Sequence, residues 1–200
     1  QRVDTSDEWI RTRTGIGARR VAAADESLTS LAAAAGAQAL ANAGWEPQSV
    51  DLVLLATSSP DDLFGSAPRV QAALGTSNAV AFDLTAACSG FLFSLVTAAQ
   101  YLRSGTMQRA LVIGADQLSR WVDWNDRRSC VLFGDGASAL ILKAEEGTGD
   151  NSDRGVLSAD LNSDGRYKEM LFVDGGVSTT GESGKLRMQG NALFRQAVEK

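Results

Sequence analysis

The chain has 200 residues and is 44% hydrophobic and 22% charged, a composition typical of globular proteins that gives no reason to expect disorder. Its net charge of −5 argues against general nucleic-acid binding, and its two cysteines and lack of histidine argue against a disulfide framework and a zinc site. No apolar run is long enough to span a membrane and no signal peptide pattern opens the sequence, so we expect a cytoplasmic protein.

The N-terminal segment predicts two helices. The first has Thr5 as its N-cap, because Glu8, three residues after Thr5, completes a capping box. It ends near 14–15. The second is rich in alanine, begins after Ser27 and stops at Gly44. Its many alanines allow it to approach a sheet closely.

Apolar runs then alternate with helical patterns. Residues 50–57 form a nearly continuous apolar run, typical of a strand covered on both faces, and a polar loop follows over 58–64. Pro68 suits the first turn of a helix that ends near 74–75. Further strands are predicted over 79–84 and 110–115, on either side of a helix with apolar positions three and four residues apart. This order predicts a layered α/β fold, with a mostly parallel sheet and helices on both faces.

The remainder of the chain predicts shorter elements. Strands are expected over 130–133 and 137–142, antiparallel at the sheet edge, with a tight turn at Gly134-Asp135-Gly136 between them. A polar surface loop follows over 145–154, and 155–161 is a further candidate strand. Because the chain begins in helix-start sequence and stops inside the apolar-periodic segment 192–198, we interpret it as a fragment cut at both ends.

Cys88 is the candidate nucleophile. It follows the strand at 79–84 and precedes a helix, and the N–H groups gathered at a helix start favour the thiolate over the thiol. The neighbours at 86, 87, 89 and 90 are small, so a carbonyl could approach the sulfur and its oxyanion could meet backbone N–H groups. A free cysteine often only packs in a core, which remains the alternative for Cys88 and is our interpretation of Cys130. Without histidine, the chain lacks the commonest partner of a catalytic thiol.

Several motifs together resemble the β-ketoacyl-acyl carrier protein synthase III family: VDTSDEWI at 3–10, TRTGI at 12–16, DLTAACSG at 83–90, FGDGA at 133–137 and MQGN at 188–191. The resemblance implies the thiolase fold, with residues 1–144 as its N-terminal half and 145–200 as a connecting region and the truncated start of the C-terminal half. Members work as homodimers. They load a short acyl group from acyl-coenzyme A onto a cysteine and condense it with malonyl-acyl carrier protein, with loss of carbon dioxide.

By this resemblance Cys88 is the acyl carrier, the coenzyme A thioester is a substrate, and no metal or redox cofactor is needed. The family's catalytic histidine and asparagine, and one of its two oxyanion N–H groups, lie in the C-terminal half that this chain lacks. We therefore expect the 200-residue chain alone to be inactive.

The resemblance also assigns binding residues. Trp9 and Arg13 are one helical turn apart and could sandwich a planar base, and with Arg127 they match residues around the coenzyme A adenine. Thr5 matches a coenzyme A contact, secondary to its capping role. Residues along the pantetheine tunnel match Met188, Gly190, Asn191 and Phe194. Acyl-pocket positions match Phe64, which the second subunit supplies in relatives, Leu118 and Leu171. Core or interface packing is the alternative for each acyl-pocket residue, and a tryptophan on the core beside a solvated arginine is the alternative for Trp9 and Arg13.

Some features leave alternatives open. A basic rim could dock an acidic carrier protein, and it would comprise Arg11, Arg19, Arg20 and Arg128. Trp121 and Trp124 have no assignment beyond possible pocket shaping. Rival functions on the same fold are condensing enzymes for a polyketide starter, a long-chain ketone precursor or a hydroxymethylglutaryl-type thioester. A non-catalytic subunit that binds acyl thioesters is the rival from another class.

Overall fold

The computed structural model of the protein describes residues 3–150 and 152–198. These form two compact units: a sheet unit (Ala22–Asp116 and Gly136–Leu161) and a ribbon unit (Gln1–Val21, Gln117–Asp135 and Asn162–Lys200). The helices are α1 (Asp7–Thr14), α2 (Leu28–Ala43), α3 (Ala67–Leu74), α4 (Gly90–Arg103) and α5 (Gly190–Val198). The strands are β1 (Leu52–Ala56), β2 (Val80–Leu84), β3 (Arg109–Gln117), β4 (Asp135–Lys143), β5 (Leu171–Val173) and β6 (Leu186–Met188). Within the described residues, no helix is long and apolar enough to cross a membrane.

A four-stranded sheet organises the sheet unit, with strand order β2-β1-β3-β4. Strand β1 is parallel to both neighbours, so that Leu52 pairs with Val80 on one side and with Ala110 on the other. The Ala144 N–H donates to the Gln108 carbonyl at 2.8 Å, which places the end of β4 beside the start of β3, so these two strands run antiparallel. The predicted mostly parallel sheet is confirmed.

Helices cover both faces of this sheet. Since side chains alternate along a strand, Val53 and Leu55 of β1 pack in one cluster with residues of α2 and α3. Leu52 and Leu54 pack in the other cluster with residues of α4. The alanine-rich α2 approaches closely, because a Cβ on its Gly36 would lie 2.9 Å from a methyl group of α3. The prediction of a strand buried on both faces is therefore correct.

Helix boundaries agree with the predicted signals except at α1. Ser27 caps α2 through its hydroxyl and Gly44 ends that helix in the left-handed conformation, while proline stands in the first turn of α3. The N-cap of α1 is Ser6, whose Oγ accepts from the Trp9 N–H at 3.1 Å, so the prediction of Thr5 as N-cap is wrong. Both residue types cap helices well, and only the helix register chooses between them.

The predicted strand over 130–133 is a turn. The Cys130 N–H donates to the Asp126 carbonyl and the Leu132 N–H to that of Ser129, at 3.0 and 2.9 Å. Cys130 and its apolar neighbours pack in the ribbon unit's own cluster around Ile10. A short apolar run is compatible with any buried backbone, so the pattern alone could not separate a strand from a turn.

The tight turn predicted at Gly134-Asp135-Gly136 is also wrong, because β4 begins at Asp135. The Asp135 N–H donates to the Arg20 carbonyl at 2.8 Å, and a Cβ on Gly134 would lie 2.8 Å from that same oxygen. Gly134 is therefore required by the close approach of two backbone segments.

Two further differences concern the end of the chain. Residues 155–161 form no strand, and Leu157 is 68% exposed. An antiparallel pair of short strands, β5 and β6, lies in the ribbon unit, where Leu171 pairs with Met188. This pair has no counterpart among the predicted strands, and its strands have only three residues each.

Candidate active site

Cys88 lies in a sharp turn between β2 and α4. The turn is a single 3₁₀ element, Ala87–Ser89, closed by hydrogen bonds from the Ser89 N–H to the Ala86 carbonyl and from the Gly90 N–H to the Ala87 carbonyl. Neither bond uses the Cys88 N–H. The Cys88 side chain is exposed, so an electrophile can reach the sulfur from solvent.

The backbone of this turn is strained. Ala87 has φ of +48°, in the left-handed region that residues with a side chain rarely occupy. Such conformations persist only where the surrounding structure enforces them, and they concentrate at active sites. Here the start of α4 is held against β1, since Gly90 is buried and a Cβ on it would lie 3.5 Å from the Ala56 Cβ. The turn thus holds Cys88 in a fixed, exposed position, which suits a nucleophile.

Cys130 has the opposite environment. It is 6% exposed and packs in the apolar cluster of the ribbon unit. Burial raises the pKa of the Cys130 thiol, and the nearby Asp126 carboxylate raises it further. Both effects disfavour the thiolate, in agreement with the interpretation of Cys130 as inert core.

Three carboxylates organise the loops at the edge of the sheet from which Cys88 projects. Asp83 of β2 accepts from the N–H groups of Ser66 and Ala67, and Asp61 accepts from the first turn of α2. Asp116 of β3 accepts from the Ser58 N–H at 2.8 Å, and also from two hydroxyls of the same loop. Local sequence pattern does not reveal these three residues, because each binds a segment 16 to 59 positions away.

Phe64 lies on the loop that these carboxylates hold. It is 91% exposed and its neighbour Leu63 is 89% exposed, whereas the loop around them is hydrogen-bonded. The Phe64 N–H donates to the Asp62 carboxylate at 2.9 Å, and Asp62 also pairs with Arg69 of α3. Two large apolar side chains therefore project from an ordered loop.

The ribbon unit brings together three of the predicted binding residues. The guanidinium carbon of Arg13 lies 4.5 Å from the centroid of the Trp9 ring, and that of Arg127 lies 5.3 Å from it. Arg127 also donates to the Asp4 carbonyl at 2.7 Å, which ties it to the segment before α1. Thr5, half-buried, belongs to that same segment. An aromatic face flanked by two cations suits a planar base that carries phosphates.

The other predicted binding residues lie where β6 leads into α5. Met188 ends β6 and stands opposite Leu171, while Gly190 and Asn191 begin α5. Phe194 is 70% exposed on the same helix. Leu118, half-buried, begins the 3₁₀ turn that follows β3. The structure thus brings together one predicted acyl-pocket residue, Leu171, and one predicted tunnel residue, Met188.

An ionic network fixes β6. Arg187 contacts the carboxylates of Asp174 and Asp123 at 2.5 and 3.0 Å. The Lys185 N–H and the Arg187 guanidinium together lower the pKa of Asp174. The Leu186 N–H donates to the Trp121 carbonyl at 2.9 Å. These bonds join β6 to the segment that leads to Arg127.

Trp121 and Trp124 now have structural roles. Trp121 supplies the carbonyl that receives β6, and the Trp124 indole N–H donates to the Ser119 carbonyl at 3.1 Å. Ser119 in turn donates to Asp135 through its N–H and its hydroxyl, at 2.8 and 2.6 Å. This chain of bonds fixes the turn that carries Leu118.

The proposed basic rim is partly neutralised within the ribbon unit. Arg11 pairs with the aspartate one turn earlier in α1, at 2.6 Å. Arg128 pairs with Asp126 at 2.9 Å and is the main cause of the lowered pKa of that carboxyl. Arg19 is half-buried, and Arg20 is exposed.

Comparisons with known proteins agree with this geometry. The family model of the thiolase N-terminal domain matches residues 10–130, and that of 3-oxoacyl-[acyl-carrier-protein (ACP)] synthase III matches residues 82–179. A β-ketoacyl-[acyl-carrier-protein] synthase III of Synechococcus sp. (strain RCC307) is 76% identical over 172 residues, which cover 86% of this chain and 50% of the relative.

Solved structures give the same result. The 3-oxoacyl-[acyl-carrier-protein] synthase III from Aquifex aeolicus VF5 has a TM-score of 0.86 and 44% identity over 97% of this chain and 59% of its own. The priming β-ketosynthase from the R1128 polyketide biosynthetic pathway has a TM-score of 0.86 and 30% identity, over 100% of this chain and 60% of its own. The predicted thiolase-like fold is confirmed, and the chain spans half to three fifths of these relatives. The chain belongs to the β-ketoacyl-[acyl-carrier-protein] synthase III family of thiolase-fold proteins, of which it represents the N-terminal part.

Proposed function

We propose that the full-length protein that carries this chain is the condensing enzyme that initiates fatty acid synthesis. It takes a short acyl group, acetyl in the first instance, from acyl-coenzyme A and condenses it with malonyl-acyl carrier protein. The observation that carries this proposal is the exposed Cys88 in its strained turn, within a chain of this family. A non-catalytic binding subunit would have no use for such a turn.

The reaction proceeds through an acyl-enzyme. The Cys88 thiolate attacks the thioester carbonyl, and the tetrahedral oxyanion collapses to give acyl-Cys88 and release the coenzyme A thiolate. Loss of carbon dioxide from the malonyl thioester then gives an enolate, which attacks the acyl carbonyl and returns the electron pair to the Cys88 sulfur. The Cys88 N–H, which neither turn-closing bond uses, supplies one donor to the oxyanion.

Coenzyme A is proposed to bind on the ribbon unit. Trp9, Arg13 and Arg127 hold the adenine, with Thr5 as a further contact, and the cation–aromatic cluster of the first three supports this assignment. The pantetheine arm contacts the junction of β6 and α5, at Met188, Gly190, Asn191 and Phe194. Glycine at the start of α5 supports it, because a backbone without Cβ allows a narrow chain to pass close by.

The acyl pocket and the dimer are proposed together. Leu118 and Leu171 line the pocket, and Phe64 completes the pocket of a second copy of the chain. The 91% exposure of Phe64 on an ordered loop supports a partner that covers it. Strand β2 lies at one edge of the described sheet with Val80 53% exposed, which supports pairing of two copies along that edge.

We also propose a cytoplasmic location, in keeping with two free thiols. Residues 1–144 are proposed to form the N-terminal thiolase-like half and 145–200 to begin the C-terminal half.

Docking of the acidic carrier protein is proposed at the rim of arginines, where Arg20 is exposed. Reversal of Arg19 and Arg20 to glutamate should weaken carrier-protein binding, and unchanged affinity would contradict the docking proposal.

The decisive test of the proposed function is product formation. The full-length protein is incubated with isotopically labelled acetyl-coenzyme A and malonyl-acyl carrier protein, and the carrier protein is weighed by mass spectrometry. Labelled 3-oxobutanoyl carrier protein should form with the wild type and not with Cys88→Ala. A second candidate, priming of a polyketide, is favoured by the likeness to the R1128 priming ketosynthase. Preference for a larger primer over acetyl would support it and contradict the initiating synthase.

A further inference from the structure

A relay of hydrogen bonds runs from the strand of the nucleophile to the loop of Phe64. Asp83, in β2, takes over the capping of α3, because its carboxylate accepts from the N–H groups of Ser66 and Ala67 at 2.9 and 2.6 Å. The Ser66 hydroxyl makes no cap bond of its own in α3. It accepts instead from the Asp61 N–H at 2.8 Å, and Ser66 is fully buried.

Asp61 continues the relay to a second helix. Its carboxylate accepts from the Leu28 N–H at 3.0 Å and from the Thr29 N–H and hydroxyl at 2.8 and 2.7 Å. Two helix starts are thus satisfied by carboxylates from outside the helices, which suits the positive end of each helix dipole. Because Asp61 and Ser66 bracket the loop 62–65, both ends of that loop are fixed to secondary structure.

The Asp83 carboxylate also shapes the apex of the loop 62–65. Gly65 has φ of +93°, and a Cβ on it would lie 3.1 Å from the Asp83 carboxyl carbon. The Gly65 N–H donates to the Asp62 carbonyl at 3.1 Å. The loop is therefore folded tightly against Asp83 while Leu63 and Phe64 project into solvent. An apolar projection that is ordered before it meets its partner loses little entropy on contact.

From this geometry we propose that Asp83 is a positioning residue that ties the Phe64 loop to the strand that leads to the Cys88 turn and thereby sets the acyl-group selectivity of the enzyme. The inference rests on the proposed function, in which Phe64 walls the acyl pocket of a second copy. Asp83 stands five residues before Cys88 on one continuous segment. One side chain therefore fixes both the Phe64 loop, which is proposed to reach the acyl pocket of a second copy, and the strand that leads to Cys88 of the same copy.

Asp51 provides a matched control. Its carboxylate also accepts two backbone N–H bonds, from Gln108 and Arg109 at 2.8 and 2.9 Å. It precedes β1, at the end of the parallel strands opposite to the one from which Cys88 projects. Asp51→Asn makes the same change as Asp83→Asn, from a carboxylate that accepts backbone N–H bonds to a neutral amide, and leaves the Phe64 loop untouched.

The test measures loading of Cys88 in the full-length protein by mass spectrometry, with acetyl- and octanoyl-coenzyme A as separate donors. Asp83→Asn should move the ratio of the two loading rates about tenfold toward one, because a pocket with a loose wall discriminates less between chain lengths. Asp51→Asn should keep the wild-type ratio although it also lowers thermal stability.

An unchanged ratio in Asp83→Asn, or an equal change in Asp51→Asn, overturns the inference. If Asp83→Asn does not fold, Asp83→Glu, which keeps the charge but shifts the carboxylate by one methylene from the N–H groups of Ser66 and Ala67, is judged by the same two criteria. Absence of any Cys88 adduct in the wild type overturns the proposed function and this inference with it. Wild-type loading with an unchanged ratio in the variant overturns the inference alone.

Discussion

Gly134 offers a sharp test of the way the ribbon unit is held together. In Gly134→Ala the new Cβ would lie 2.8 Å from the Arg20 carbonyl oxygen and 3.3 Å from the Arg19 Cβ. Real carbon–oxygen contacts are longer, and the obstacle is backbone, so one of the two segments must move. The movement also stretches the 2.8 Å bond from the Asp135 N–H to the same oxygen.

The expected loss follows from these two effects. Overpacking of a rigid site costs about 1–3 kcal/mol. A weakened backbone hydrogen bond adds about 1 kcal/mol. The free energy of unfolding should therefore fall by about 2–4 kcal/mol. Asp135 also binds Ser119, the neighbour of Leu118, which is proposed to line the acyl pocket. Acyl loading should therefore slow at temperatures where the wild type is fully active.

Gly136, the second residue of β4, is the control. A Cβ at this position meets nothing within 4 Å, so Gly136→Ala should change the free energy of unfolding by less than about 1 kcal/mol. Urea unfolding of both full-length variants, followed by tryptophan fluorescence, measures the difference. Equal stability of the two variants would show that Gly134 serves only as a flexible turn, and would refute the close-approach argument.

Three further predictions concern the candidate sites. Trp9→Ala should raise the KM for acyl-coenzyme A about tenfold with little change in kcat, since stacking of a base on an aromatic ring contributes about 1–3 kcal/mol, and Trp9→Phe should retain most of the affinity. An equal fall in kcat would point to a structural role instead. The lowered pKa of Asp174 means that its bonds stabilise the fold above its ordinary pKa of 3.8 and are lost as the pH falls through the folded-state value. Asp174→Asn should therefore lower the melting temperature at pH 7 and converge with the wild type in acid, and a constant difference at all pH values would contradict this. Iodoacetamide should alkylate Cys88 in the native protein and Cys130 only after denaturation, because Cys130 is buried and its pKa is raised. Peptide mass spectrometry measures the order of alkylation, and modification of Cys130 before Cys88 would contradict this prediction.

Much of the sheet unit could be predicted from sequence because its signals are local. The apolar run around Leu54 specifies a strand buried on both faces, and Ser27 and Gly44 mark the ends of α2 by their own backbone chemistry. The position of Cys88 between strand and helix patterns was also correct. Each of these features depends on residues within one segment, so no tertiary information is needed.

The errors share the opposite property. Cys130 lies in an apolar run whose conformation is decided by packing against Ile10, and the need for glycine at position 134 is decided by the Arg20 backbone. Asp83 lies inside the stretch that identified Cys88, yet the bonds of its carboxylate depend on the start of α3, where Ala67 precedes it by 16 positions. Sequence pattern gives no access to such distant partners, although it places Asp83 in the correct strand.

The central claim is that Cys88 carries the acyl group. The most direct measurement is intact and peptide mass spectrometry of the full-length protein after brief incubation with acetyl-coenzyme A, with Cys88→Ala and Cys130→Ala as controls. The account predicts one acetyl adduct, located on Cys88, lost in Cys88→Ala and retained in Cys130→Ala. An adduct on Cys130, or none with any acyl donor, would contradict it.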